Sequence, residues 1–273
     1  MKIIDSFIFF NELEILFYRL SILNDLVDNF ILVESTHTFS GNPKELFYLN
    51  NKKLFEKFNN KIIHVIINDF PFKYPNINFN YNQQWQNEYH QRNSIINGLQ
   101  QIKLNNEDII LTSDVDEIPN PELIKKIKEN NQLFDKNNLN KLALDMYYYN
   151  LNYKVGEGQN WHGIKLLTFE TFNCLKLSFQ DMRLWEHKNY VPAIPYGGWH
   201  LSYFGDIDFI INKIKSYSHQ EYNNNNYIDK EILKKKIENG INFIGGCDLN
   251  FIKLKDNNNL PPKYEIYLSK FYN

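Results

Sequence analysis

Asp108-Ile109-Ile110-Leu111-Thr112-Ser113-Asp114-Val115-Asp116-Glu117-Ile118-Pro119 is the stretch on which the reading of this chain turns. Its first part, 108–112, predicts a strand of the apolar kind that is buried on both faces of a parallel sheet. Three carboxylates then fall within four residues, Asp114 to Glu117, just beyond the strand's carboxyl end. Pro119 and Pro121 follow, and Pro121 suits the first turn of a helix over 121–129.

The chain upstream repeats the pattern. Residues 2–10 read as a first buried strand with Asp5 inside an apolar run. Leu13, Leu16, Phe17, Leu20, Leu23 and Val27 have the spacing of an amphipathic helix over 12–28. A second buried strand is expected at 29–35, then a polar loop over 36–50 with Gly41 and Pro43. A short helix is expected near 51–58, a third strand at 62–67, and a long helix over 83–104. Strands alternating with helices predict an α/β fold with a Rossmann-like parallel sheet. Ligands in such sheets bind outside the carboxyl ends of the strands, where the acidic cluster falls.

The second half reads differently. Residues 141–153 are aromatic and strand-like, with more strand-like pieces at 162–169 and 174–179. Gly197-Gly198-Trp199-His200-Leu201-Ser202-Tyr203-Phe204-Gly205 reads as a turn, a strand and a turn, and helices are expected at 206–219 and 228–239. No internal repeat or Gly/Ser/Pro-rich linker divides the chain, so 1–273 is expected to be a single domain whose parallel first half continues into a mixed sheet.

Composition removes several classes. With 43% hydrophobic and 16% aromatic residues the chain can fill a core, which argues against disorder. A net charge of −2 gives no general attraction to nucleic acid. Cys174 and Cys247 suggest neither a disulfide framework nor a zinc site, and fit a reduced compartment. The apolar start is too short to span a bilayer and has no signal-peptide cleavage site. No segment reaches the ~20 apolar residues of a spanning helix. A cytoplasmic location is therefore expected. Lys234-Lys235-Lys236 reads as a solvated helix face, with peripheral contact to an anionic membrane as the alternative. Asn223–Asn226 and Asp256–Asn259 read as solvated loops.

Carboxylates crowded at a strand end raise one another's pKa unless a cation relieves them. A hard divalent ion with oxygen ligands does so, and Mn²⁺ or Mg²⁺ held by one or two carboxylates keeps positions open for substrate phosphates. The plain alternative is a solvated acidic turn capping the next helix.

The chain also resembles glycosyltransferase family 17. The resemblance is carried in order by Asn11-Glu12-Leu13-Glu14-Ile15-Leu16 with Arg19-Leu20, and by Val27-Asp28-Asn29-Phe30-Ile31-Leu32-Val33-Glu34-Ser35 with Thr38, Phe39, Gly41 and Pro43. Asp69-Phe70-Pro71, Asp114-Val115-Asp116-Glu117-Ile118-Pro119 and Gly198-Trp199-His200 continue it. It implies a GT-A-like fold and inverting transfer of N-acetylglucosamine from UDP-N-acetylglucosamine, with a divalent cation, to a glycan or other hydroxyl acceptor. Residues 1–120 would bind the nucleotide-sugar and 121–250 the acceptor, leaving 251–273 as a tail. The membrane anchor and stem of the animal enzymes have no counterpart in this sequence, so their Golgi location and N-glycan acceptor are not carried over.

On this basis Asp114, Asp116 and His200 are the expected metal ligands. Asn11, Glu12, Glu34, Arg92, Asp114, Trp199 and Lys213 are candidates for the donor site. Glu34 could instead order a loop, Glu12 favour a helix start, Arg92 brace Asp114 and Trp199 fill the core. An inverting reaction needs a general base. Asp181 and Glu186 are the expected candidates, with Glu117, Asp145 and Asp206 behind them; Glu117 could instead hold the donor sugar. Two other functions fit the acidic cluster: a metal-dependent phosphohydrolase drawing on His187, His200 and His219, and a non-catalytic nucleotide- or glycan-binding module.

Overall fold

Strand β1, Ile3–Phe9, is buried along its whole length and lies in the interior of the sheet in a computed structural model that describes residues 1–130, 133–156, 158–185 and 193–272. Helix α1 (Leu13–Leu23) leads to β2 (Asn29–Ser35). A short helix α2 (Phe47–Asn50) and a 3-10 helix (Lys52–Phe58) lead to β3 (Ile62–Ile67). Helices α3 (Gln83–Asn93) and α4 (Ile95–Leu99) carry the chain back to β4 (Ile109–Asp114). β1 is parallel to both β2 and β4, and β2 to β3.

The remaining chain extends the same sheet. It comprises β5 (Glu117–Pro119), α5 (Pro121–Glu129), β6 (Asn140–Tyr148), β7 (Tyr153–Val155), β8 (Lys165–Thr168), α6 (Phe169–Leu175), α7 (Phe179–Leu184) and β9 (Ala193–Ser202). Then follow α8 (Ile207–Ser216), α9 (Asn225–Ile228), α10 (Lys230–Glu238), β10 (Leu249–Phe251) and α11 (Tyr264–Tyr267). The ten-stranded order is β10-β7-β6-β8-β4-β1-β2-β3, with β9 joined to β6 and β5. β8 runs antiparallel to β4, so the sheet is parallel at one side and mixed at the other. This is the expected α/β architecture. Among the described residues no helix is long and apolar enough to cross a membrane.

The period-2 alternation of β1 sorts the core into two layers. Ile3, Phe7 and Phe9 pack with Leu16 and Leu20 of α1 and Phe55 and Phe58 of the 3-10 helix. Ile4 and Ile8 pack on the opposite face with Ile95, Phe179 and Met182. Asp5 has the parity of Ile3 and Phe7, so it faces α1, where Arg19 receives it.

Three local expectations are corrected. The helix over 83–104 is two helices that part at Ser94, whose hydroxyl bonds back to the His90 carbonyl at 2.7 Å, a competitor of the helical ladder. The strand-like piece at 174–179 is the end of α6 and the start of α7. Thr168 and Ser178 cap these helices from their side chains, and such caps outweigh the β-forming composition. Gly197 and Gly198 lie inside β9 rather than in a turn. Gly198 has φ of 144°, and a Cβ there would overlap the Ile118 carbonyl, so glycine is what lets β5 lie against β9.

Candidate active site

The acidic motif is held from beneath by one buried arginine. Arg19 pairs with Asp5 through Nε and Nη2 at 2.8 and 2.6 Å. Its Nη1 donates to the carbonyls of Asp114, Val115 and Glu117 at 3.0, 3.2 and 2.7 Å. Asp114 ends β4, Val115 anchors in the core, and Glu117 opens β5 directly opposite His200 of β9. That register brings His200 Nε2 to 3.7 Å from Asp116 Oδ1.

Each carboxylate of the motif has a fixed partner. Asp114 Oδ1 accepts from Arg92 at 2.7 Å and Oδ2 from Arg183 at 3.0 Å. Glu117 is fully buried and accepts from Arg183 at 2.9 Å, from the Trp161 indole at 2.5 Å and from the Asp114 backbone N–H at 2.9 Å. Asp116 Oδ2 accepts from Lys213 at 2.8 Å, and the same ammonium lies 3.0 Å from Glu12 Oε1. Burial alone would raise the pKa of Asp116; Lys213 and then His200 outweigh it and hold the group ionised, well below the usual carboxylate range. Asp114 is likewise lowered, with Arg183 and Arg92 overcoming burial. Burial would lower Lys213 and Arg183, but the carboxylates around them raise both.

These groups stand at the carboxyl edge of the parallel strands around a cavity of about 430 Å³. Its wall carries Glu12, Glu88, Asp114, Asp116, Arg183, His200 and Lys213, and aromatic side chains line much of the remainder. A second cavity of about 400 Å³ adjoins it, and Phe10, Thr38, Lys44 and Ser216 line both.

The structure brings together Glu12, Arg92, Asp114, Asp116, Glu117, His200 and Lys213 of the residues expected from the sequence. The others are placed differently. Glu34 accepts from the backbone N–H groups of Tyr48 and Leu49 and meets His64 at 3.0 Å, so it orders the start of α2. Trp199 is core, its indole donating to the Asn259 carbonyl. Asp181 closes a capping box with Ser178 at the start of α7 and is not on the cavity wall. Asn11 lies beside Glu12, its Oδ1 buried without a hydrogen-bond partner. Asp145 pairs with Lys154, and Asp206 caps α8. Glu186 and His187 lie outside the described residues. His219 lines the cavity.

Arg19, Arg183, Trp161 and Glu88 did not emerge from the sequence as site residues. Asp5 inside an apolar strand was a signal for a buried cation on the facing helix. Arg183 and Trp161 lie 66 and 44 residues from Glu117 and carry no local pattern.

A divalent cation at this edge would meet a crowded ionic network. Glu12, Glu88, Asp114, Asp116 and Glu117 are ion-paired with Arg92, Arg183 and Lys213. Five carboxylates against three cations leave this network two charges negative before any charge on His200. His200 is buried, and its Nδ1 has no hydrogen-bond partner. Both Asp114 oxygens accept short bonds from arginine, whereas among the described residues Asp116 Oδ1 meets only His200, at 3.7 Å, so Asp116 Oδ1 and His200 are the atoms on this wall that would fit a divalent cation. Among the described residues no three His, Cys, Asp or Glu side chains form a cage. A cation held by so few side chains keeps coordination sites for phosphate oxygens and water.

Sheet, edge cavity and ion-paired acidic motif together describe an α/β protein with a charged cavity at the carboxyl ends of its parallel strands. The family model described as Glycosyltransferase family 17 matches residues 1–248, and the chain belongs to that family. It is therefore a glycosyltransferase. No curated protein matches the chain.

Proposed function

We propose that the chain is an inverting, cation-assisted transferase that moves N-acetylglucosamine from UDP-N-acetylglucosamine to a hydroxyl group of a glycan. The observation that carries this reading is the doubly negative ionic network at the carboxyl edge of β4, open to one cavity. Family membership supports transfer over phosphate hydrolysis or binding alone.

Asp116 and His200 would hold the divalent ion, which as a Lewis acid neutralises charge on the departing diphosphate. Lys213 and Arg183 border the same space and offer fixed N–H donors to phosphate oxygens. Arg92, Glu117 and Trp161 hold Asp114 and Arg183 in place, so little reorganisation is needed as charge develops.

The test is radiolabelled transfer from UDP-N-acetylglucosamine, with hydrolysis as the fallback readout, in Mn²⁺ and in chelator. Wild type should turn over with Mn²⁺, and Asp116→Asn should lose about a hundredfold or more. Turnover unaffected by chelator and by Asp116→Asn would remove the ion from the reaction. Turnover of another sugar nucleotide alone would replace the donor.

A further inference from the structure

Along α3 from Arg92 the cavity wall carries a cluster of aromatic side chains to which no binding role is given above. Trp85 and Tyr89 lie one turn apart on the same side of α3, ring centroids 6.4 Å apart. His219 stands edge-on to Trp85 at 4.7 Å and is itself 5.8 Å from Tyr222. All four line the cavity; Trp85, Tyr89 and Tyr222 are half-buried and His219 is exposed. Tyr74, Phe79 and Tyr81, in the segment leading into α3, are exposed as well.

We propose that Trp85, Tyr89, His219 and Tyr222 form the platform on which a neutral sugar ring of the acceptor stacks. The proposal rests on the transferase reading above and names the acceptor half of the same site.

Three observations select this ligand. First, α3 ties the platform to the reaction centre. Arg92 holds Asp114, and Glu88 is held by Arg92 at 2.8 Å and by the Ser218 hydroxyl at 2.6 Å. Arg92 is seven residue steps along the helix from Trp85, roughly 10 Å along the axis. A donor sugar and an acceptor sugar placed side by side span such a gap. Second, the cations of the cavity wall, Arg183, Lys213 and Lys44, are not part of the platform. Near it stand Glu88 and the Glu221 carboxylate, which bonds His219 at 2.7 Å. That surrounding favours an uncharged ring over a phosphate. Third, aromatic faces present a broad apolar surface to the C–H face of a pyranose, and Tyr, His and Glu at the margin suit its hydroxyl groups.

The probes are chitobiose, cellobiose, mannobiose and lactose. Each is titrated by saturation-transfer NMR with and without UDP and Mn²⁺, while UDP binding is followed separately by calorimetry. At least one disaccharide should bind wild type. Trp85→Ala and Tyr89→Ala should each weaken it about tenfold, with the UDP dissociation constant unchanged within about twofold. Trp85→Phe keeps a ring and should retain most of the affinity, which separates stacking from a fold defect. The proposal is overturned if no disaccharide binds wild type, if binding survives both alanine variants, or if Trp85→Ala costs UDP affinity, which would make the platform a nucleobase site. Failure of wild type to bind UDP, with disaccharide binding intact, would strike the donor reading alone.

Discussion

Lys213 of α8 donates to Asp116 at 2.8 Å and lies 3.0 Å from Glu12, so one ammonium ties the end of β1 to the end of β4. All three side chains are largely buried. Lys213→Met would leave two buried carboxylates without their cation. Breaking a buried pair in this way costs about 3–5 kcal/mol. The melting temperature should therefore fall on the order of 10 °C. Mn²⁺ should recover more of that fall than it adds to wild type, because it binds the folded state and replaces the missing charge. A variant that melts with wild type would show that the bridge contributes nothing.

Arg183 binds Asp114 and Glu117 at once, and its guanidinium lies 5.6 Å from the centre of the Trp161 ring. A planar fork holds two carboxylates in a fixed geometry while its face meets a ring; a compact ammonium on a flexible stem fixes neither direction nor plane. Arg183→Lys should keep the charge but lose the bridge. Its kcat/KM should drop about a hundredfold with the melting temperature only slightly lower. Near-wild-type turnover in Arg183→Lys would reduce the role of this side chain to charge.

The parallel half of the fold was legible because buried strands write themselves as apolar runs: β1, β2 and β3 lie within the stretches 2–10, 29–35 and 62–67, and β4 starts inside 108–112 and runs on through Ser113 to Asp114. The motif's position followed from the end of the β4 run. The partners of the motif were not legible. Arg183 comes to Glu117 through α7, whose start is fixed by the Ser178 capping box, and the capped segment had read as strand. Glu34 and Trp199 drew attention by their position and residue type, yet the structure gives both to backbone groups. A carboxylate at a strand end has the same local signature whether it faces a ligand or a helix start. Glu12 reaches the cavity wall and Lys213, whereas Glu34 is turned to the start of α2.

Lys44 gives the site a pH dependence. It lines the cavity with its ammonium 5.6 Å from the Phe10 ring and 5.5 Å from the Phe47 ring. Burial pushes its pKa down to about 8, against the opposing pull of Glu34, Glu12 and Glu45. In the ligand-free protein it is charged below that pH and neutral above it. Affinity for the UDP anion should be flat up to about pH 7.5 and then fall, by at most about tenfold per pH unit. Stability moves the other way. The folded pKa lies below the ordinary 10.5, so the unfolded chain binds more protons between about 8 and 10.5, and this group's contribution rises with pH across that window. Calorimetric titration of UDP from pH 6.5 to 9.5 should show the break in wild type and not in Lys44→Met. A break that persists in the variant belongs to another group.

Gly163 packs against Glu117 so closely that a Cβ would overlap the carboxylate. Glu117 has little freedom to yield, because Arg183, Trp161 and the Asp114 N–H all hold it. Gly163→Ala should therefore push the carboxylate off at least one of these donors, leaving a buried group underbonded. Overpacking of this kind costs about 1–3 kcal/mol. Asp114 loses the acceptor for its backbone N–H in the same movement, so turnover should fall more steeply than stability. Gly156→Ala is the control: its Cβ meets only Asn250 Nδ2 at 3.6 Å, an ordinary contact, and should change stability by about 0.5 kcal/mol or less. Thermal unfolding and steady-state transfer on both variants separate the cases. If Gly163→Ala is as active as Gly156→Ala, the fixed position of Glu117 does not matter to the reaction, and its three hydrogen bonds serve the fold alone.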